Sequence, residues 1–407
     1  MSVMPRKARQ RARRQVRTQP EQSSRAELAV GPIQLEARLE PVTLKNGSGS
    51  RRQIRIPADR PGSILIFCIT TEGQRPICLA MIDMASIASS RPSYDALSNW
   101  RHVCDALPAR LRVPEPWPVR EDWLTVGRFD VHLDRWSAEA PGASVIIVHG
   151  VGGNGRMLGL YGHMCRSLGY DAVAPDLPGY GLTSVPSKFA LTYEDWRTVL
   201  AAVIEAEAAR RLPVIVFGLS MGGMLGYDAT ARTRLPKGLF VTCLTGLRNP
   251  AVRRGVARWP WLGTVIEPLL TTLPALTDPL PVLMKVAGNM SAVANDQALV
   301  RAIMADPRAG GNWMPARFLR TLLMAEPEKP PEAFDVCAVT LAHPADDRWT
   351  DVSISRLFFN RLGRVPTELV MLENGGHFPV EYPAHEQLAT AFRLFVESAI
   401  ASARRAR

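Results

Sequence analysis

One serine in the sequence lies in a setting that suits covalent catalysis. Ser220 stands between Gly218 and Gly222, after the apolar run 214–217 and before a helical pattern that starts at Met221. A strand that turns into a helix within two or three residues needs glycines beside the corner, because Cβ atoms would collide there. A surface turn can also carry this G-x-S-x-G spacing, but it would not need the flanking strand and helix. Ser220 is therefore the candidate nucleophile.

A serine hydroxyl needs a base that takes its proton, and the base needs a partner that fixes its tautomer. His377 is the candidate base because it follows a predicted last strand over residues 368–372 and a pair of glycines. The candidate partner is Asp346 or Asp347, both of which follow the run 336–341. We prefer Asp347 and expect its neighbour to be a solvated or salt-bridged carboxylate.

Backbone N–H groups near the serine can stabilise the oxyanion that forms when it attacks a carbonyl. Met221 begins the helix after Ser220, and Val151 lies in the glycine-rich stretch 150–153 after another apolar run. We expect the N–H groups of Val151 and Met221 to form the oxyanion hole. His149 precedes that stretch, and we interpret it as a structural histidine.

Several buried strands must position these residues. Apolar runs without polar alternation indicate strands that are covered on both faces, and amphipathic helical patterns separate them. Such an alternation with short connections predicts an α/β fold with a mostly parallel sheet and helices on both faces. Residues 123–133 alternate around Gly127, which predicts an antiparallel hairpin at a sheet edge. We assign residues 121–247 and 334–403 to this core.

Residues 248–333 interrupt the alternation. They contain six prolines between Pro250 and Pro281, are rich in Met, Leu and Trp, and end in helical patterns at 295–304 and 315–324. An all-helical apolar insertion between two strands predicts a lid over the strand ends. The alternative is a helical layer that packs only on the core.

The basic character of the chain is concentrated at one end. The formal net charge is +11 over 407 residues, but residues 1–60 hold 14 Lys and Arg against 5 Asp and Glu, which leaves +2 for the rest. We expect residues 1–60 to form a basic disordered tail. Because the rest of the chain carries little net charge, nucleic acid is an unlikely partner for it. The tail is either a solvated extension or a basic arm that makes a weak contact with an anionic membrane or with nucleic acid. Residues 61–120 form an N-terminal extension of weak order without an assigned role.

The composition suggests no metal, cofactor or membrane anchor. The six cysteines are scattered without a C-x-x-C pair. No apolar run approaches the roughly 18–20 residues that cross a bilayer. Arg13 and Arg14 are not followed by the hydrophobic segment of a twin-arginine export signal. We therefore expect a cytoplasmic protein with buried free thiols that needs no cofactor.

Five short motifs follow one another along the chain: His149-Gly150, Asp176-x-Pro178-Gly179-x-Gly181, Gly218-x-Ser220-x-Gly222-Gly223, Asp347-Arg348 and Gly376-His377. Together they resemble the motifs of serine hydrolases with the α/β-hydrolase fold. The resemblance is to the monoacylglycerol lipase and lysophospholipase branch, which is also described as serine aminopeptidase-like. The resemblance covers about residues 121–400 and implies a central sheet flanked by helices with a helical lid insertion. It also implies the chain order nucleophile, acid, base, which Ser220, Asp347 and His377 follow.

The residues and the resemblance predict a serine hydrolase that cleaves a carboxylic ester through an acyl-enzyme. The apolar lid favours a medium-length acyl ester or a monoglyceride-like substrate. Two departures bear on acyl-chain preference: Leu219 replaces a common histidine, and residues 151–154 read Val-Gly-Gly-Asn. Amide, lactone or C–C bond hydrolysis with the same triad, and a descendant that only binds ligands, stay open. So do the natural substrate and the oligomeric state.

Overall fold

The computed structural model describes residues 91–113 and 118–405, and before them only the backbone of six short strands. The chain divides into two compact units, Met1–Arg91 and Pro92–Arg407. The strands of the first unit are β1 (Leu28–Val30), β2 (Ile33–Leu35), β3 (Val42–Thr43), β4 (Arg52–Ile54), β5 (Leu65–Ile69) and β6 (Ile77–Met81). β1 pairs with β2, and β3 to β6 form an antiparallel sheet in chain order.

The prediction of a disordered tail over residues 1–60 stays a prediction, although four short strands, β1 to β4, lie within this segment. The hydrogen bonds between strands join main-chain groups, so a strand with polar side chains can pair with an apolar strand. In this way β4, which contains Arg52 and Gln53, pairs with the apolar strand β5, where Ile54 lies opposite Ile66. The other residues of the predicted tail lie outside the described residues.

The second unit begins with the elements that build most of the sheet. They are α1 (Asn99–Asp105), β7 (Arg120–Val126), β8 (Phe129–Trp136), β9 (Ser144–Val148), α2 (Gly159–Ser167), β10 (Asp171–Pro175), α3 (Tyr193–Ala209), β11 (Val214–Gly218), α4 (Met221–Thr233) and β12 (Gly238–Val241). Successive residues of β9 alternate between two buried apolar clusters, with Ile146 and Val148 in one and Val145 and Ile147 in the other. The sheet is therefore covered by apolar layers on both faces.

The insertion, residues 248–333, consists of helices and one short strand pair. Its elements are α5 (Pro250–Val256), α6 (Pro260–Thr272), α7 (Pro274–Thr277), β13 (Pro281–Leu283), α8 (Met284–Ala287), α9 (Gln297–Ala305), β14 (Trp313–Pro315) and α10 (Ala316–Leu323). Prolines begin α5, α6 and α7, because the first helical position needs no N–H donor. The antiparallel pairing of β13 with β14 corrects the all-helical expectation. Pro279 and Pro281 favour extended backbone before and within β13.

The chain then completes the sheet with β15 (Ala338–Pro344), α11 (Val352–Phe359), β16 (Thr367–Leu372) and α12 (Ala384–Arg405). The strand order is β16-β15-β12-β11-β9-β10-β8-β7, parallel from β16 to β10, with β8 and β7 antiparallel at the edge. The carboxyl ends of neighbouring parallel strands therefore bring the loops after β9, β11, β15 and β16 to one edge. Among the described residues, no helix has the length and hydropathy of a membrane span.

Part of the N-terminal extension packs on the core, which corrects the expectation of weak order there. Tyr94 and Trp100 are buried, and the Tyr94 hydroxyl donates to Asp176 Oδ2 at 2.9 Å. The Trp100 indole N–H donates to the Tyr94 carbonyl at 2.8 Å, and Val103 joins a buried core cluster. The contact of Tyr94 with Asp176 joins residues that are far apart in the chain, so it leaves no periodic pattern in the extension itself.

Candidate active site

The turn between β11 and α4 holds Ser220 in a strained conformation. Its φ is 53° and its ψ −130°, a region that residues with a side chain rarely adopt. A Cβ on Gly218 would lie 2.5 Å from the carbonyl oxygen of Gly222, and a Cβ on Gly222 would overlap that of Val148. The Ser220 N–H donates to Thr242 Oγ1 at 3.1 Å. The tight corner therefore explains both glycines and leaves the serine partly exposed.

The structure brings the three candidate catalytic side chains into contact. His377 Nε2 lies 2.7 Å from Ser220 Oγ, and His377 Nδ1 lies 2.8 Å from Asp347 Oδ2. The His377 and Asp347 side chains are buried. When Nδ1–H donates to the carboxylate, Nε2 is left as an acceptor for the serine proton. This arrangement can deprotonate a hydroxyl as it attacks.

Asp347 is held as a carboxylate. Burial alone would raise its pKa, but His377 and the donors of Thr350 outweigh burial and lower the pKa to about 2. Oδ1 accepts from the backbone N–H groups of Trp349 at 2.8 Å and Thr350 at 2.9 Å. Oδ2 accepts from the Thr350 hydroxyl at 2.7 Å. The side chain is thereby fixed with one oxygen toward the imidazole.

Asp346, the other candidate acid, is not brought to the site. Its side chain is exposed, while its backbone N–H donates to the Gly375 carbonyl at 2.9 Å. Its carbonyl accepts from Asn295 Nδ2 at 3.4 Å. Asp346 therefore contributes main-chain contacts that join the acid loop to the loop that carries His377.

The two candidate oxyanion donors lie beside the serine. A Cβ on Gly150 would lie 3.0 Å from the Met221 nitrogen and 3.1 Å from Ser220 Cβ, so the loop after β9 runs close to the nucleophile. Val151, Ser220 and Met221 line one cavity. Within the described part of the chain, neither the Val151 nor the Met221 N–H donates to a protein acceptor. Both donors are thus available for an oxyanion.

His149 has the environment of a structural residue. Its Nε2 accepts from the Leu177 N–H at 3.0 Å, so Nδ1 carries the proton that is donated to the Gly150 carbonyl at 2.7 Å. Burial lowers its pKa and favours the neutral ring. His149 thereby links the loop that holds Val151 to the loop after β10.

A cavity of about 230 Å³ opens at the serine. Its walls are mostly apolar, and they come from the loop after β9, the start of α4, the acid loop and the insertion. The residues that α6, β13 and α10 contribute are Leu262, Gly263, Ile266, Val282, Leu319, Leu322 and Leu323. The cavity can accept an alkyl chain next to the serine hydroxyl.

Two residues beside the triad, Trp349 and Thr350, were not expected from the sequence. The Thr350 hydroxyl, besides donating to Asp347, lies 3.2 Å from His377 Nδ1. The Trp349 ring centroid lies 4.7 Å from that of His377, and its indole N–H donates to the carbonyl of Val256 in the insertion at 2.8 Å. The only signal was that both residues follow the acid within three positions.

Replacing Trp349 with phenylalanine will lower kcat/KM for ester hydrolysis about fivefold, since a neutral hydrogen bond contributes roughly 1 kcal/mol. The phenyl ring keeps the contact with His377 but loses the link to Val256. Trp349→Ala removes both contacts and will have a larger effect on kcat. Steady-state kinetics on a soluble p-nitrophenyl ester measures both variants, and wild-type values for both would reduce Trp349 to a space-filling residue.

A second cluster of titratable groups lies under the N-terminal extension. Ligand atoms of Glu121, His132 and Asp134 lie within 4.8 Å of one another, a spacing that suits a metal ion. Arg156, however, donates to both oxygens of Asp134 and to Glu121 Oε1, each at 2.8 Å. The guanidinium already occupies the oxygens that would bind a metal ion, so we interpret the cluster as a buried ion-pair network. His132 Nδ1 lies 3.0 Å from Asp176 Oδ2 in the same network.

This network predicts a pH dependence of stability. Burial alone would lower the pKa of His132, but the carboxylates of Asp176, Asp134 and Glu121 outweigh it and raise the pKa. The stabilisation is complete below the unfolded pKa of about 6.5 and is lost as the pH rises through the folded pKa, by at most about 1.4 kcal/mol per pH unit. In urea denaturation from pH 6 to 9, the stability advantage of wild type over His132→Gln will shrink. A constant difference would contradict this prediction.

Comparison with known proteins places this geometry in context. The family model described as the alpha/beta hydrolase family matches residues 145–390, well over half of the chain. The phospholipase YtpA of Bacillus subtilis (strain 168) is 33% identical over 103 residues, 25% of this chain and 39% of that protein. The chain thus matches about two fifths of that relative's length.

Two solved structures share the fold. A soluble variant of monoglyceride lipase from Saccharomyces cerevisiae, in complex with a substrate analog, superposes with a TM-score of 0.60 at 14% identity, covering 72% of this chain and 98% of that one. The monoacylglycerol lipase of Paleococcus ferrophilus gives a TM-score of 0.52 at 18% identity, covering 66% and 98%. At these identities the likeness concerns the fold alone.

Proposed function

Since the chain belongs to the alpha/beta hydrolase family, we propose that it is a serine hydrolase that cleaves carboxylic esters through an acyl-enzyme on Ser220. The observation that carries the proposal is the pair of contacts that His377 makes, 2.7 Å to Ser220 Oγ and 2.8 Å to Asp347 Oδ2. A nucleophile and an orienting acid that both contact the base, at the edge of a cavity, are the parts that acyl transfer needs.

The acylation half follows from the positions of the donors and acceptors. As Ser220 Oγ attacks the ester carbonyl, His377 Nε2 takes its proton and the imidazolium is stabilised by Asp347. The carbonyl oxygen becomes an oxyanion that accepts from the N–H groups of Val151 and Met221, each worth roughly 3 kcal/mol of barrier reduction. His377 then gives the proton to the leaving alcohol, and the acyl group stays on the serine.

The deacylation half repeats the same proton transfers with water. His377 Nε2 takes a proton from a water molecule that attacks the acyl carbonyl, and the same two N–H groups stabilise the second oxyanion. Proton return to Ser220 Oγ releases the carboxylic acid. Asp347 remains ionised throughout, in keeping with its pKa of about 2.

The cavity supports a substrate with a short to medium acyl chain. Its volume of about 230 Å³ is below the roughly 300–1,000 Å³ typical of pockets for drug-sized ligands. The insertion supplies much of its apolar wall, so we assign this segment the role of a lid. Monoglyceride lipases among the fold relatives and a phospholipase as the sequence relative favour a monoacylglycerol or lysophospholipid as the class of ester.

A chain-length profile tests the assignment of the cavity to the acyl group. Wild type and Ile266→Trp are compared on p-nitrophenyl esters from acetate to dodecanoate, because Ile266 lines the cavity from α6. The larger side chain will shift the optimum of kcat/KM toward shorter esters while acetate hydrolysis is retained. Leu394→Trp, at an exposed position of α12, is the matched control and will keep the wild-type profile.

Two outcomes would contradict the proposal. If wild type hydrolyses no ester of the series and takes up no fluorophosphonate, the protein is not a serine esterase. If Ile266→Trp keeps the wild-type profile, the acyl chain does not occupy this cavity and the substrate class must be revised.

A further inference from the structure

Helix α6 is apolar on two opposite faces. Leu262, Gly263 and Ile266 line the cavity that contains Ser220, and Leu270 on the same face is buried. The outer face carries Trp261, Val265 and Leu269, which follow one another at intervals of four residues and are 63%, 43% and 57% exposed. A helix that is apolar all round is normally buried on all sides. The outer face of α6 therefore lacks the cover that its composition calls for.

The exposed apolar surface continues beyond this helix. Six large apolar side chains of α6 and the segment after it form what we call the outer surface: Trp261, Val265, Leu269, Leu273, Leu276 and Leu280. The only charged residues between 259 and 284 are Glu267 and Asp278. Glu267 is paired with Arg253 at 3.3 Å, and Asp278 is paired with Arg320 at 2.8 Å. The surface thus offers no unpaired carboxylate, and apolar patches of this kind mark interaction sites.

The flanks of the outer surface are basic. Arg254, Arg258 and Lys285 are exposed, and among the described residues none of them has a carboxylate partner. The Arg258 guanidinium lies 5.2 Å from the Trp259 ring centroid, and the rings of Trp259 and Trp261 stack at 6.2 Å. Tryptophan, exposed aliphatic side chains and flanking cations together are the composition of elements that lie in a membrane interface.

We propose that the outer surface of the insertion binds a lipid surface that carries anionic headgroups. The apolar side chains enter the boundary between headgroups and acyl chains, and Arg254, Arg258 and Lys285 contact the anionic groups. A second copy of the chain is a poorer occupant, because a two-fold contact would bring the same basic flanks of both copies together. The binding is independent of catalysis and goes beyond ester hydrolysis.

Vesicle sedimentation of the full-length protein tests the proposal. The Ser220→Ala background prevents hydrolysis, and the vesicles consist of phosphatidylcholine alone or mixed with phosphatidylserine. The parent will bind the mixed vesicles more tightly, with a blue shift of tryptophan emission. Leu269→Glu will weaken binding by roughly tenfold or more, since a charge in the apolar boundary is costly. Leu394→Glu introduces the same charge at a position of α12 with 54% exposure and will bind like the parent.

The basic flanks are tested separately from the apolar side chains. The double variant Arg254→Gln and Lys285→Gln will lose the preference for phosphatidylserine but keep the weaker binding to phosphatidylcholine. Circular dichroism melts identify any variant that fails to fold, and Trp261→Gln then replaces Leu269→Glu as the test of the surface.

Three results would overturn the proposal. The first is a parent protein that stays in the supernatant with both vesicle types. The second is a Leu269→Glu variant that binds like the parent, which would move the contact elsewhere, for example to residues 1–60. The third is a mass by light scattering that doubles with concentration in the parent and stays monomeric in Leu269→Glu, which would make the outer surface an interface between copies.

Discussion

Replacing Ser220 with alanine will lower kcat for ester hydrolysis by roughly 10⁴-fold or more, because triad nucleophiles act as a unit with their base. The variant keeps the cavity and the two oxyanion donors, so a small residual rate above water will remain. Steady-state assays with a medium-chain p-nitrophenyl ester measure the decrease in kcat. Ser187→Ala, an exposed serine in the loop after β10, is the control and will keep wild-type kinetics.

Covalent labelling of the protein is a second test of whether Ser220 is the nucleophile. A fluorophosphonate will add one phosphonyl group to wild type, and peptide mass spectrometry will place it on Ser220. The alanine variant will stay unlabelled even though its fold is intact by circular dichroism. Substantial turnover or labelling in the variant would show that another residue is the nucleophile and would remove the basis of the proposed function.

The parts of the fold that the sequence predicted are those governed by local rules. Gly218 is required because the backbone of Gly222 lies against it, and Gly222 is required because the end of β9 lies against it. Apolar runs locate β9 and β11 to within about two residues, because a strand covered on both faces needs apolar side chains throughout. The candidate site residues follow such strands, so a parallel sheet brings them to one edge without any further information.

The parts that the sequence did not predict depend on distant partners. Tyr94 is ordered by Asp176, more than eighty residues away, and no pattern near Tyr94 signals that contact. The strand β4 likewise pairs with β5, and its own composition does not signal this pairing. In the insertion, the prolines marked an interruption of the alternation, but the sequence did not show that Pro260 and Pro274 each occupy a first helical position. Which role a proline takes is decided by the residues that follow it.

The choice between Asp346 and Asp347 shows the limit of local patterns at the candidate site. Adjacent residues in a turn point in different directions, and which of them faces the imidazole depends on the turn that follows. Here the N–H groups of Trp349 and Thr350 both converge on Asp347 Oδ1 and fix that side chain, while Asp346 stays exposed. The geometry therefore favours one acid over the other and yields a prediction that separates them.

Asp347→Asn will lower kcat by roughly 10⁴-fold, whereas Asp346→Asn will change it less than twofold. The asparagine can still accept from Thr350 with one oxygen, but its amide N–H₂ would face His377 Nδ1. The ring would then accept at Nδ1 and carry its proton on Nε2, so it could not take the proton of Ser220. Binding changes little because neither residue's carboxylate enters the apolar wall, so KM will stay within a few-fold of wild type.

The same pair of variants has a distinct signature at low pH. The folded pKa of Asp347 is about 2, below its unfolded value of about 3.9, so its ionisation stabilises the fold above pH 4 and this contribution is lost as the pH falls toward 2. The contribution is roughly 2 kcal/mol, and Asp347→Asn will lack that part of the acid sensitivity in denaturation curves between pH 4 and 2. Asp346→Asn will keep it. A larger loss of activity at Asp346, or an unaltered acid profile in Asp347→Asn, would reverse the assignment of the acid.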